Sequence, residues 1–363
     1  MRFPEFSGEW KMATFGDIAK GFDYGMNAAA KSFDGNNKYI RITDIDEVSS
    51  QYLYDDVVSP DGELEDRYLV KENDILLART GASTGKSYLY RNSDGKLYFA
   101  GFLIRANIYK HNSYFVFSQL HTLRYKKWIS VMSARSGQPG INSQEYASFP
   151  VYTTSLQEED KIATFLKLLD ERIITQNKII EKLQSLIKGL AVALTTKEKA
   201  NIAISQCLEC HSSTLQESEV LSSGLCKVFG ANGLVGYKDV PQMNGDAILV
   251  IKDGSGVGTV SYAQGKFSVI GTLNYLTVIG NNDLRYLYFA LSVFNFQPYK
   301  TGMAIPHIYF KDYGKAKIYC PSLAEQKRVA NVLDKLESKL FVEQELLASF
   351  NQQKQYLLGQ MFI

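Results

Sequence analysis

The sequence predicts an α+β protein: two globular α/β regions separated by two long helices that pair as an antiparallel coiled coil with pseudo-two-fold symmetry. Three observations point there. A helical segment in the middle of the chain recurs at the end. Both copies carry apolar residues at alternating four- and three-residue steps. A strand, a glycine turn and a second strand occur once in each region between the helices.

The repeat is plainest with Ser155 laid over Ser322. "SLQEEDKIATFLKLLDERI" then covers "SLAEQKRVANVLDKLESKL", and the constant offset of 167 residues runs without a gap to Thr196 and Ile363. Each copy opens with serine and, three residues later, Glu158 or Glu325, which is the pattern of a capping box. Ile162, Leu166, Leu169 and Ile173 begin the first seam, and Val329, Leu333, Leu336 and Leu340 the second. A helix lying on a domain would show a broader stripe. One step of each seam is polar, at Gln176 and, in register, at Glu343. Antiparallel pairing sets these two near the middle, where polar residues fix register, and brings Gln176 close to Leu347.

The organisation follows: a first globular region at 1–154, a central helix at 155–200, a second region at 201–321 and a C-terminal helix at 322–363. In the globular regions "NDILLARTGASTGKS" has a counterpart in "GDAILVIKDGSGVGT", with Asp74 over Asp246 and Gly81 and Gly85 over Gly254 and Gly258. "SGQPGIN" (136–142) resembles "TGMAIPHI" (301–308), each just ahead of a strand and a long helix.

GASTGKS invites another reading, a phosphate loop. That loop needs four residues between its glycines and must open a helix. Here only Ala82, Ser83 and Thr84 intervene, and "SYLYRNSDGKLYFAGFLI" reads as strand, turn, strand. The second copy lacks Lys86-Ser87, so the shared object is the turn. A nucleotide-binding enzyme using residues 81–87 stands as one alternative, and a coiled-coil scaffold without DNA binding as another.

Composition narrows the class. A chain of 363 residues, 45% hydrophobic and 21% charged, buries two or three cores. MRFPEFSGEWK carries no secretory pattern and no stretch approaches a membrane helix, so a cytoplasmic protein is expected. The four cysteines are Cys207, Cys210, Cys226 and Cys320. "CLECH" (207–211) matches the haem-attachment pattern, but that chemistry accompanies export, and zinc would need a second pair of ligands. Free thiols are expected, with no metal and no cofactor.

Net charge is only +2, but it is unevenly spread. Gly95–Gln144 holds no acid, against Lys96, Arg105, Lys110, Arg124, Lys126, Lys127 and Arg135, with aromatics interleaved; residues 254–311 hold one acid, Asp283. Such segments suit a surface that meets phosphates. Arg124, Lys126 and Lys127 are the expected phosphate clamps. Arg135, Gln138 and Asn142 have the chemistry for base edges, arginine toward guanine and amides toward adenine; Asn142 equally suits a turn cap. Arg79 and Lys86 flank the glycine turn. Lys300, His307 and Lys311 are the counterparts in the second region.

"FPEFSGEWKMATFGDIA", "NDILLARTGASTGKS" and "YCPSLAEQKRVANVLDKLESKL", in that order and with the helix motif duplicated, resemble the specificity subunit of type I restriction–modification enzymes over essentially the whole chain. Three departures stand out. Glu158-Glu159 replaces the usual Glu-Gln, Thr154 stands where the second copy has Pro321, and Lys252 lies one residue off the place expected for a second Arg79. The resemblance implies a non-catalytic protein. Each globular region would read one half of a split site on double-stranded DNA. The helices would dock two DNA adenine methyltransferase subunits, and a motor–nuclease subunit would complete the restriction complex. A helix of about 40 residues spans roughly 60 Å, under about 20 base pairs, so the half-sites would lie about one turn apart. No methyltransferase motif and no catalytic histidine arrangement occurs in the sequence.

Overall fold

The computed structural model describes residues 2–134 and 140–362. Two compact units emerge: Met1–Asn177 with Leu346–Ile363, and Lys178–Glu345. Each takes half of each long helix, which run Leu156–Thr195 and Leu323–Met361.

The first unit is built on an antiparallel four-stranded sheet. Its order is Ala19–Tyr24, Leu103–Ile108, Asp74–Ala78, Ser87–Leu89. Asp74–Ala78 is buried along its whole length, as an uninterrupted Ile-Leu-Leu-Ala run demands of a strand covered on both faces. Ile75, Leu77, Ile104 and Ala106 face the short helices and the long helices. Leu76, Ala78, Tyr88 and Leu103 face the other side, where Lys38–Ile40 pairs in parallel with Leu97–Phe99. Lys11–Thr14 pairs with Pro150–Thr153 and closes the region just before the long helix.

The second unit repeats this order with Leu208–Ser212, Leu273–Val278, Ala247–Ile251 and Val260–Ala263. Its second layer is a four-stranded sheet around Cys226–Gly230 and Lys266–Val269.

The long helices pair antiparallel, as expected. In the first unit Lys354 meets Asp170 at 2.6 Å and the Arg172 guanidinium lies over the Phe350 ring at 5.1 Å. These pairs set a register that carries buried Gln176 toward Leu347. Leu358, Met361 and Phe362 enter the same core as Phe115, Tyr125 and Phe149. In the second unit Leu190, Ala191 and Leu194 share a core with Val329, Ala330 and Leu333. Glu343 accepts a 2.7 Å hydrogen bond from Lys339 one turn earlier on its own helix. No described helix is long and apolar enough to cross a membrane.

Each long helix is docked onto its globular region through its first turn. Glu158, almost fully buried, accepts from Arg2 Nε (2.7 Å) and Nη2 (2.6 Å) and from Trp10 Nε1 (3.0 Å). Glu159, fully buried, accepts from the Asn112 amide (2.9 Å), the Thr154 amide (3.1 Å) and His111 Nδ1 (2.8 Å). At the matching place Gln326 accepts from the Asp283 amide (2.8 Å) and donates to Pro321 O (2.9 Å), with its Nε2 3.3 Å from Asn282 Oδ1 and 3.1 Å from Cys320 Sγ. Asn112 and Asp283 are the N-caps of equivalent helices, so both contacts pin a helix start to the long helix. About three turns further along the long helices, Asp170 accepts from Tyr114 Oη, while Glu337 accepts from Arg285 and Tyr288 Oη.

Candidate nucleic-acid interface

The two glycine turns are the same structure. In the first, Gly85 N–H donates to Ala78 O (3.0 Å), Thr84 N–H to Gly81 O (3.1 Å) and Lys86 N–H to Ser83 O (3.0 Å). In the second, Gly258 N–H donates to Ile251 O (2.9 Å), Val257 N–H to Gly254 O (3.2 Å) and Thr259 N–H to Gly256 O (3.0 Å). Gly81 and Gly85 sit at φ +66° and +91°, Gly254 and Gly258 at +98° and +87°, a region that L side chains avoid. A Cβ on Gly85 would come 2.8 Å from Ile129, and one on Gly258 would come 2.9 Å from Phe296. The glycines serve the turn and its close packing.

No helix follows the first turn: Ser87 is buried and opens a strand that pairs back onto Ile75–Leu77. The segment holds only a single 3-10 turn at Gly81–Ser83, no α-helix opens after it to face a nucleotide phosphate, and the phosphate-loop reading of residues 81–87 fails on that geometry.

The hydrogen bonds also correct the alignment of Lys252. Arg79 N–H donates to Phe102 O (3.0 Å) and Lys252 N–H to Thr272 O (2.9 Å); Arg79 O accepts from Ile141 N–H and Lys252 O from Ile308 N–H, both at 2.9 Å. Lys252 is therefore the direct structural counterpart of Arg79, with no displacement. Asp246 misled the alignment because an extra residue separates it from the turn. The same bonds lay Gly140–Ile141 and Pro306–Ile308 against the two turns, so these residues occupy equivalent edges.

Around the first turn, Arg79 stacks over the Tyr24 ring at 4.8 Å and reaches Gly101 O at 3.5 Å. Lys86 lies 3.7 Å from exposed Glu47. Lys126 and Lys127 are exposed on the helix Leu123–Ser133. Arg124, on the same helix, does not join them as a phosphate clamp. Its guanidinium packs over Tyr152 (4.4 Å) and Phe149 (5.4 Å) and donates to Gln119 Oε1 (3.1 Å), and burial lowers its pKa. Asn142 caps the helix Ser143–Ala147 in a full capping box with Glu145, which commits its carbonyl oxygen to the fold. Arg135 and Gln138 lie outside the described residues. Arg105, counted in the acid-free stretch, is neutralised from outside it by Asp23 at 2.8 Å and Asp74 at 3.8 Å.

In the second unit, Thr301 and His307 pair through two backbone hydrogen bonds (2.9 and 2.8 Å) and close a loop whose tip exposes Met303 and Ile305. His307 also bridges to Asp253, and its Nδ1 lies 3.2 Å from Ile305 O. Lys311 is exposed over the Tyr309 ring, and Lys300 is half-buried after the turn at Gln297–Tyr299. Sequence reasoning passed over Tyr24 and Phe102 because nothing local marks them; only the fold brings them beside Arg79.

Among the described residues no group of three or more His, Cys, Asp or Glu side chains is placed to hold a metal ion. Of the CLECH segment, Cys207 is buried in the core, and the His211 ring stacks on Tyr275 (4.8 Å) with Nε2 2.8 Å from Thr277 Oγ1.

Fold and interface together define a duplicated two-module protein in which one sheet, one glycine turn and one basic residue recur with different side chains around them. The chain belongs to the family described as the type I restriction modification DNA specificity domain, whose model matches residues 7–185 and 211–352. Among its relatives are the EcoprrI type I restriction enzyme specificity subunit of Escherichia coli and the MjaVIII type I restriction enzyme specificity subunit of Methanocaldococcus jannaschii. The first is 24% identical over 30% of this chain, the second 25% over 54%. The matched stretches span 27% and 44% of those two proteins, less than half of either. The crystal structure of the type I restriction–modification system S subunit from M. genitalium shares the fold at 17% identity, with a TM-score of 0.70 over 98% of this chain and 96% of that one.

Proposed function

We propose that the chain is the DNA-reading specificity subunit of a type I restriction–modification complex, acting in the cytoplasm and without catalysis of its own. The regions 1–154 and 201–321 each read one half of an asymmetric split target on double-stranded DNA. The helices at 155–200 and 322–363 set the spacer and dock two adenine methyltransferase subunits, and restriction subunits join that core. The carrying observation is the twin turn: the same hydrogen bonds present Arg79 in one unit and Lys252 in the other. A duplicated scaffold with one cation in one place suits two copies of one task.

Phosphate contacts position such a protein and base contacts specify. Lys126 and Lys127 are the phosphate contacts we assign to the first region, with Lys86 beside the turn, and Arg135 and Gln138 are assigned to base edges. Lys300, His307 and Lys311 take that place in the second. Arg124 and Asn142 support the surface from behind. Gln176 and Glu343 serve as polar register marks in the helix pair.

Long-read methylation mapping of the host, with and without this gene, tests the reading. The expected result is one bipartite motif with unlike halves, lost on deletion; an unchanged methylome refutes it. K126E/K127E, assembled with the methyltransferase, should weaken binding to all sequences alike and reduce the slope of log affinity against log salt by about two.

A further inference from the structure

The two turns share a backbone and differ in the side chains that frame the basic residue. Tyr24 pairs with Ile104 and Ser212 with Asn274, on equivalent strands. Gly101 N–H donates to Met26 O and Gly271 N–H to Leu215 O, both at 2.8 Å, so the next residues, Phe102 and Thr272, occupy one position. The trio Tyr24, Arg79, Phe102 in the first unit is thus Ser212, Lys252, Thr272 in the second.

The first trio is organised for contact. Tyr24 Oη accepts from the Ser143 amide (3.2 Å) at the start of a short helix, which holds its ring under the Arg79 guanidinium. Gly101 O, at 3.5 Å, holds the other side. A stacked guanidinium keeps its outer N–H groups in a fixed fork, the geometry that reads guanine O6 and N7. Phe102 carries the backbone oxygen bonded to Arg79 N–H, and its own ring is 60% exposed. The fold does not need an aromatic there, because the same turn forms in the second unit with threonine.

We infer that Phe102 is a specificity-determining residue: its ring packs against the C5-methyl group of a thymine beside the guanine held by Arg79 in the half-site of the first region. This rests on the chain being a DNA reader. Apolar contact is the one way a protein recognises that methyl group in the major groove. In the second unit a lysine without an aromatic floor, beside Thr272 in place of a ring, gives a different contact set, and so an unlike half-site.

The test uses the full chain assembled with its methyltransferase. Once methylation mapping gives the target, duplexes are prepared with each thymine of the half-sites replaced in turn by uracil, which lacks only the methyl group. At one position in one half-site the replacement should weaken binding about three- to fivefold, the worth of one buried methyl group. F102T should abolish that difference and leave the other half-site untouched, and F102L should keep most of it. A uracil effect that persists in F102T, or none at any position while sequence-specific methylation continues, overturns the inference and leaves the DNA-reading function standing. F102T that loses all sequences equally, or melts several degrees below the parent, overturns it too, since the ring would then be a general or structural support. A parent complex with no bipartite target would instead sink the underlying reading.

Discussion

Two residues at the same turn of two like helices do one job with opposite chemistry. Glu159 pins the helix start at Asn112 with a buried carboxylate and needs donors, which the Asn112 and Thr154 amides and His111 supply. Gln326 pins the helix start at Asp283 with an amide, whose second half is a donor and faces the Asn282 and Pro321 oxygens and the Cys320 sulfur. Position 111 is histidine where position 282 is asparagine. The partner changed with the residue. A family motif that reads as Glu-Gln in one copy and Glu-Glu in the other is therefore one contact in two self-consistent versions, and the departure at Glu159 keeps the contact.

The comparison breaks most readily at Gln326. Q326E places a carboxylate among acceptors with the Asp283 amide as its donor, so the second unit should lose about 3–5 kcal/mol, read as a lowered urea midpoint. An unchanged midpoint would mean that the pocket is wet or the contact idle. Acid should then separate the units. His121 bonds Ser50 Oγ through Nε2 (3.0 Å) and Phe117 O through Nδ1 (3.0 Å). Burial, helped by Lys354, pushes its pKa down from 6.5 to about 4. The unfolded chain takes up this proton first, so stability is full above about pH 6.5 and falls as pH drops toward 4, by at most about 3 kcal/mol. The first unit should thus melt first in acid, and H121N should flatten its pH profile between those values; a parallel profile in the variant would sink this. The smallest effect sharpens the comparison. E159Q alone should cost about 1–2 kcal/mol by leaving buried donors mismatched, and E159Q with H111N should recover most of it. A double-mutant cycle showing simple additivity would deny that the two positions are coupled.

The long helices and their antiparallel pairing were legible because a 3.5-residue period held over some forty residues leaves few alternatives. The glycine turn was legible because it occurred twice, and the second copy stripped Lys86-Ser87 of meaning. Much of the surface was not legible. Arg124 reads as a cation beside two lysines, and only the fold sets Phe149 and Tyr152 against it. Glu158 finds Arg2 and Trp10 more than a hundred residues away, which no local pattern announces. Lys252 was set one residue off because Asp246 looked like Asp74. Asp74 accepts from the Lys71 amide and Asn107, whereas Asp246 accepts from Tyr262 Oη and Gln264, two different tasks.

Leu358, Met361 and Phe362 complete the core begun by Phe15 and Ile18. During synthesis, then, the region made first cannot be finished until the far helix has emerged, while Lys178–Glu345 is contiguous and can close on its own. A chain cut after Glu345 should therefore keep one finished module and leave the other with an open side, and residues 346–363 supplied as a separate helix should close it.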